Sequence, residues 1–576
     1  MRLLFVIGLC VASQLCAQRI ELVEGSSALQ VCMLEEETLT RDSALVVCLQ
    51  RLRREGYLEA AIDSVSYSGD TVRYHAHQGP LYEVGAWASR SNPSTTHGPV
   101  RTDTLTSPRK LADLTTGGRA YIQTLGREGY PFGRVRVDSI NLDSTSVSGR
   151  TTVWSGPRIR YGGVEYADGV EPPVSETYLE RYLRVESGRL YRSQEIEQAG
   201  RRLRTLSFVT VRRDPVVVFE TGDAVLYVDA VRRKTSRFDF LLGFLPNSEA
   251  NNGQLLLTGD LTLELENALR RGERLFVSFE RLQPESTELE AEVAYPYLLD
   301  SPFGGRGRFE LYRQQDDWLR INYELGGDYA FGGGDGVELF YAGGQAQVLA
   351  FDTARVERTL LLPDVLDARR NGFGLRLRID RRDDILDTRS GRRLQIEGNA
   401  TLRSVTVPSF LTELSQKLEQ QADSLGGQTA QYRGSIDVEQ FLPLGRRTTL
   451  ALRFRGAGIL GVQTPLRNEL HRIGGNRLLR GFDEQSIDAQ HYAIGSVEYR
   501  LLIGGGSYLF AFADQGTLFD PYRSGDRYDQ PTGFGAGLRL GTRSGALALT
   551  YAYGRRTDAP IDWQRAKVHI GFESRF

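Results

Sequence analysis

The stretch "GGNRLLRGFDEQ", residues 474–485, sets Arg480 between Leu478-Leu479 and Gly481-Phe482. A guanidinium among apolar and glycine neighbours needs either water or an acidic partner. Its planar fork of donors suits a carboxylate gripped at both oxygens, which a lysine cannot copy. Gly474, Gly475 and Gly481 let the chain turn sharply and lie close to another surface. The chemistry on offer is electrostatic fixing of a loop rather than bond-making. Catalytic signatures are missing: the sequence has no G-x-x-x-x-G-K-S/T, no G-x-S-x-G and no H-E-x-x-H. Six histidines are present, none at metal-ligand spacing with cysteine, and His471 near Glu469 and Asp483 reads as a loop residue. No enzyme, cofactor or metal site is expected.

The elements that must position Arg480 are written in the composition. The 576 residues hold 71 basic and 73 acidic side chains, a balance that argues against a nucleic-acid partner. Sixty-two glycines, 26 tyrosines and 25 phenylalanines against two methionines make a β-rich signature, and an outer-membrane barrel is one way to produce it. Residues 1–17 read as a secretory signal peptide, because the apolar run Leu3–Ala12 is too short to span a bilayer. A lipoprotein reading is disfavoured by bulky Leu9 and Leu15 before Cys10 and Cys16. No later stretch approaches twenty apolar residues, so no transmembrane helix is expected. In an oxidising exported compartment Cys32 and Cys48 can form a disulfide; the alternative is two small core hydrophobes.

The first 230 residues repeat. "LRREGY" (52–57) returns as "LGREGY" (125–130), and "GPLYEVG" (79–85) as "GPRIRYG" (156–162). A worn third copy, "LRTLSF" (203–208), follows the helical stretch "SQEIEQAGRRL". Each unit orders a helix before two alternating strands, a small α+β module. This arrangement resembles the POTRA domain of outer-membrane assembly and secretion proteins, with copies at 18–88, 89–161 and 162–233. The resemblance implies modules that hold extended client chains by adding them to a sheet edge. An inert periplasmic spacer is the alternative.

From Arg237 onward the period becomes two. "DLTLELE" puts Leu261, Leu263 and Leu265 opposite Asp260, Thr262, Glu264 and Glu266, and "FGLRLRID" puts Phe373, Leu375, Leu377 and Ile379 opposite Arg376, Arg378 and Asp380. A soluble sandwich turns its polar face to water, whereas a membrane barrel turns its apolar face to lipid. The pattern resolves into sixteen candidate strands in 234–576, an even number. From the seventh connection to the thirteenth, long and short alternate, as outer loops and inner turns would. Lipid supplies no hydrogen-bond partner, so strand one is expected to close on strand sixteen. The chain ends "KVHIGFESRF"; terminal Phe576 resembles the sorting signal of outer-membrane proteins, with Ser574 departing from it.

Strand counting places "GGNRLLRGFDEQSI" in the eleventh connection, an outer loop. POTRA repeats, a sixteen-stranded barrel and R-G-F in that loop together resemble the BamA/TamA and two-partner-secretion superfamily of outer-membrane transporters. That resemblance implies that the loop folds into the lumen, with Arg480, Gly481 and Phe482 facing an F-x-D-x-G motif on the thirteenth strand. Here the motif is "FADQG", with Phe512, Asp514 as the carboxylate, and Gly516. "DTRSG" resembles the family's D-x-R…G turn, so Asp387, Arg389 and Gly391 are expected to brace the eighth connection. "AYPYLLDSPFG" (294–304) matches the family's Pro-aromatic turn between strands four and five. "LTELSQKLEQQADSL" (411–425) reads as a short amphipathic helix in the ninth connection. A static peg and a moving gate are both open for the Arg480–Asp514 pair.

The expected protein sits in the bacterial outer membrane with its POTRA domains in the periplasm. Its partners are unfolded outer-membrane or secreted clients, the lipid bilayer, and periplasmic chaperones or accessory subunits. The first function is client insertion without ATP; the second is two-partner secretion of one dedicated protein through the lumen. Three POTRA copies and no evident plug helix after the signal speak against the second. A passive channel or adhesin is the third.

Overall fold

The computed structural model describes residues 19–24, 27–28, 49–68, 71–92, 111–220, 222–245, 256–281, 286–314, 317–384, 388–425, 427–476, 478–483, 485–524, 526–542, 545–558, 561 and 566–574. The signal peptide, Cys32, Cys48, Asp387 and Phe576 lie outside them. Two compact units divide the chain. One holds Met1–Arg160 with Leu190–Gln194, the other Tyr161–Arg189 with Glu195–Phe576.

In the first unit the repeated hexapeptides do the same work twice. Leu52 and Leu125 are fully buried, and their carbonyls accept from the amides of Tyr57 and Tyr130 at 3.1 and 2.9 Å. Gly56 and Gly129 take positive φ, 117° and 95°, where a side chain would be strained. The carbonyl of each glycine then receives the incoming strand, from Tyr82 N at 3.0 Å and Ile159 N at 2.8 Å. Four short strands form one sheet, in which Arg19–Glu24 runs parallel to Thr71–His77. Three form another, in which Glu83–Asn92 runs parallel to Ser146–Trp154. Glu83–Asn92 therefore straddles position 88 while bonding wholly within the second sheet.

The second unit opens with another α+β module. Its sheet orders Arg160–Tyr166, Asp223–Arg232 and Val209–Glu220. Helix Glu176–Leu183 starts at Ser175, whose side chain accepts from Tyr178 N, and buries Tyr178, Leu179, Tyr182 and Leu183 on one stripe. This module is docked on the strands that follow. Tyr178 meets Tyr297 edge-on at 5.1 Å. Asn267 Nδ2 donates to Pro173 O at 2.8 Å, and Gly333 N to Tyr182 O at 2.7 Å. Asn267, Tyr297 and Gly333 belong to the second, fourth and sixth connections, so the POTRA-like module caps those three turns.

Seventeen strands among the described residues pair in strict sequence order into one antiparallel sheet. Sixteen are full strands, from Arg237–Leu245 to Lys567–Ser574; the seventeenth is the two-residue Tyr528–Asp529. The faces decide between sandwich and barrel. Leu325, Phe373 and Leu375 point outward at 65%, 64% and 58% exposure, while Glu338 and Arg376 point inward at 1%. Apolar outside and ionised inside is the membrane arrangement.

The expected closure of strand one on strand sixteen is corrected. Cα atoms of the first and last strands come within 8 Å, yet among the described residues no hydrogen-bonded ladder joins them. The alternation of connection lengths read for the seventh to thirteenth connections does not extend to the first half. The fifth connection spans only 315–317, whereas the second and fourth span 267–273 and 296–302. Those two are longer because they reach up to hold the α+β module.

The long seventh and ninth connections carry helices. Thr353–Thr359 packs through Val356 against Leu411 and Leu418 of Ser409–Thr412 and Gln416–Leu425. The amphipathic segment is thus two helices whose apolar face is spent on the neighbouring connection.

Candidate functional site

Residues 461–490, the eleventh connection, fold back as a small body of their own. His471–Ile473 and Ile487–Ala489 pair as a two-stranded ribbon, with Gly474 and Gly475 turning at φ 121° and 89°. Ile473, Leu479, Ile487 and Ala489 make a dry cluster against Ile494 and Leu518, with Leu478, Phe482 and Tyr492 packed at its edge. Ile494 and Leu518 share the inward face of their strands with Ser496, Glu498 and Asp514. An apolar residue there breaks the polar-inside rule because the loop covers it.

Arg480 sits at the tip of this body, 6% exposed. Its Nε donates to Asp514 Oδ2 at 2.8 Å and its Nη2 to Asp514 Oδ1 at 2.6 Å. The Arg480 backbone N–H adds a third bond to Asp514 Oδ2 at 3.1 Å. The remaining fork position is taken by Glu498 Oε2, 2.6 Å from Nη1. Phe512 lies flat beneath the guanidinium, 3.5 Å from its carbon to the ring centroid, a cation–π contact in a desolvated place. Asp514 and Phe512 belong to the thirteenth strand, Ser507–Phe519, and Glu498 to the twelfth, His491–Gly504. Arg500 in turn grips Glu498 at 2.8 Å. Arg480 and Arg500 thus bond these two carboxylates directly, with Arg453 and Arg455 lining the same small gap, and the dry surroundings make each pair strong.

Backbone lies against backbone here. A Cβ on Gly533 would overlap the Arg480 carbonyl, and one on Gly554 the Gly481 carbonyl. Gly481 itself, at φ 90°, abuts the Tyr553 carbonyl. Gly533→Val is therefore expected to lift the loop off the wall while leaving Arg480 and Asp514 intact. Labelling of a cysteine at Phe482 by a water-soluble maleimide checks it; unchanged labelling would show that the close approach is dispensable.

The other sequence candidates fall in different places. Gly516 leaves room for Pro531 and donates to its carbonyl at 2.8 Å. Arg389 braces two turns, donating its Nη2 to Arg446 O at 2.6 Å, while Gly391 at φ 105° abuts the Arg381 carbonyl. The carboxylate that organises the eighth connection among the described residues is Asp383, which accepts from Arg389 N at 3.0 Å and Ser390 Oγ at 3.1 Å. Sequence reasoning passed over Asp383, and over Glu498. Glu498 was visible only as an inward-phase residue in "SVEYR"; register was needed to set it diagonal to Asp514.

Residues 267–573 match the model of the Omp85 superfamily domain. The chain belongs to the Omp85 superfamily. Members are outer-membrane β-barrel proteins that insert or transport other polypeptides. No curated protein matches the chain. Among solved structures, CdiB from Escherichia coli is similar over 92% of this chain and 96% of its own, at 15% identity and a TM-score of 0.51. CdiB from Acinetobacter baumannii covers 86% and 90%, at 14% identity and 0.51. BamA from Haemophilus ducreyi lacking POTRA domains 1-3 covers 86% and 100%, at 15% identity and 0.40. In this Omp85 chain no group of three or more His, Cys, Asp or Glu side chains is set to hold a metal among the described residues.

Proposed function

We propose that this Omp85 protein receives unfolded client polypeptides on three periplasmic POTRA-like modules and assembles them into the outer membrane at the barrel seam. The observation that carries this reading is that, among the described residues, no ladder joins first and last strands that nevertheless approach within 8 Å. Unpaired strand edges in lipid are costly, and a client strand can satisfy them by β-augmentation. The loop supports the seam over the lumen as the route, since its dry cluster and the buried Arg480 fill the interior beside strands twelve and thirteen. On this reading Arg480, Asp514 and Glu498 keep the lumen shut while the seam works. Docking of the last module on the second, fourth and sixth turns supports a periplasmic position for those turns.

Depletion of the protein, followed by a census of outer-membrane and secreted proteins, tests the proposal. Broad loss of barrel proteins is the expected result. Loss of one large exported protein alone would instead favour two-partner secretion, and an unchanged envelope would favour a passive channel or adhesin.

A further inference from the structure

Arg480 is one of two ionic anchors of the loop, and the second has the opposite polarity. Four guanidiniums gather on the wall: Arg320 of the sixth strand, Arg370 of the eighth, Arg403 of the ninth and Arg433 of the tenth. All four lie towards the strand ends that lead into odd-numbered connections. Glu469, from the single turn Arg467–Glu469, reaches into them. Arg403 grips it at both oxygens, Nε to Oε1 at 2.9 Å and Nη2 to Oε2 at 2.7 Å. Glu469 is 4% exposed and Arg403 3%.

The other three arginines donate to neutral oxygens. Arg320 Nη1 reaches Asn468 O at 3.3 Å, Arg433 Nη2 reaches Glu469 O at 2.8 Å, and Arg370 Nη2 reaches Asn322 Oδ1 at 2.7 Å. Arg320 Nε is buried without a hydrogen-bond partner. The next carboxylate along the wall, Glu310, is bonded by Arg308 at 2.5 Å and by Asn322 Nδ2 at 3.2 Å, and it faces Arg320 and Arg370 as well. Glu469 and the shared Glu310 therefore serve four guanidiniums, a collar with room for more negative charge, and like charges so close repel unless an anion lies between them.

The geometry points to a carboxylate-recognition site in the lumen, with Glu469 as its resident ligand and the acidic side chains of a polypeptide as its exchangeable one. The Arg467–Glu469 turn lies outside the ribbon of His471–Ile473 with Ile487–Ala489, so Glu469 can leave its seat while the ribbon and Arg480 keep theirs. An approach exists. A cavity of about 720 Å³ lined by Trp318, Arg467 and Arg472 adjoins the collar. Arg472 and Arg320 both stack on Tyr312, at 5.2 and 5.6 Å, which links cavity to collar. The inference rests on the loop being movable, and its test reads binding rather than transport, so failure of one does not decide the other.

Calorimetric titration of the purified full chain in detergent with tetraglutamate, and separately with inorganic phosphate, provides the test. Glu469→Ala is expected to bind tetraglutamate about tenfold more tightly than the parent, which is the worth of vacating one charge-assisted hydrogen-bonded seat. Adding Arg433→Gln is expected to take that gain away. Glu469→Gln, which preserves size and hydrogen bonding, carries the same comparison if the alanine variant does not fold, with a smaller gain. Equal affinity of parent and both Glu469 variants, or indifference to Arg433→Gln, would overturn the site. Preference for phosphate over tetraglutamate would overturn the carboxylate assignment.

Discussion

Arg480→Ala is expected to impair the client assembly proposed above and to lower the unfolding midpoint of the barrel. The substitution removes three side-chain hydrogen bonds and leaves Asp514, 1% exposed, without the guanidinium that balances it. Breaking a buried pair by deleting one partner typically costs about 3–5 kcal/mol, because the stranded charge stays out of water. Glu498 loses less, since Arg500 still holds it. Arg480→Lys recovers only part, because an ammonium cannot grip both Asp514 oxygens and lie flat on Phe512 at once. Asp514→Arg in the Arg480→Ala background does not restore function. It would leave the residue 480 amide without its acceptor and put a new cation near Arg500. Client assembly at the parental level by Arg480→Ala would remove the functional reading of the loop.

Arg376→Met is expected to unfold or severely weaken the barrel without touching the loop. Arg376 bonds three carboxylates at once: Glu397 through Nε at 2.8 Å, Glu338 through Nη1 at 2.8 Å and Glu324 through Nη2 at 2.7 Å. Its guanidinium also stacks on Phe340 at 4.7 Å. Methionine fills the volume but strands three glutamates on adjacent strands, one of them fully buried. Relief through Arg306, 3.5 Å from Glu338, is partial because Arg306 already serves Glu292 at 2.5 Å. A loss of about 3–5 kcal/mol is the lower end of what such a cluster should show. Urea unfolding in detergent micelles, read by heat-modifiable gel mobility, measures it. Adding Glu338→Gln should return part of the loss, whereas a midpoint equal to the parent's would show that the three carboxylates find other partners.

What could be seen in the sequence follows from where physics leaves a local trace. Lipid on one side and ions on the other force a period of two, so Leu375 and Arg376 announce their faces without any fold knowledge. The R-G-F and F-A-D-Q-G segments carry their geometry in three or four residues, and the structure brings Arg480 and Asp514 together. Glu498 and Glu469 leave no such trace. The first is one inward residue among several on its strand. The second meets Arg403 across 66 positions with loop and wall exchanging charge, so nothing near either residue betrays the other. The longer second and fourth connections were equally hidden, because their length answers to a module that packs on them from elsewhere in the chain.

The glycines under the loop impose an order on assembly. Each strand pairs with its neighbour in sequence, so hairpins can form one after another with short-range contacts and little loop-closure entropy. Gly533 and Gly554, however, belong to strands fourteen and fifteen, made after the segment that lies upon them. The loop must already be tucked inside when those last hairpins fold over it, for threading it into a finished cylinder would drag charged Arg480 past a rim. Seating of the loop thus becomes a step of barrel closure: a chain whose residues 461–490 seat late would close as a hollow shell, and slowing the final hairpins would lower the yield of such shells.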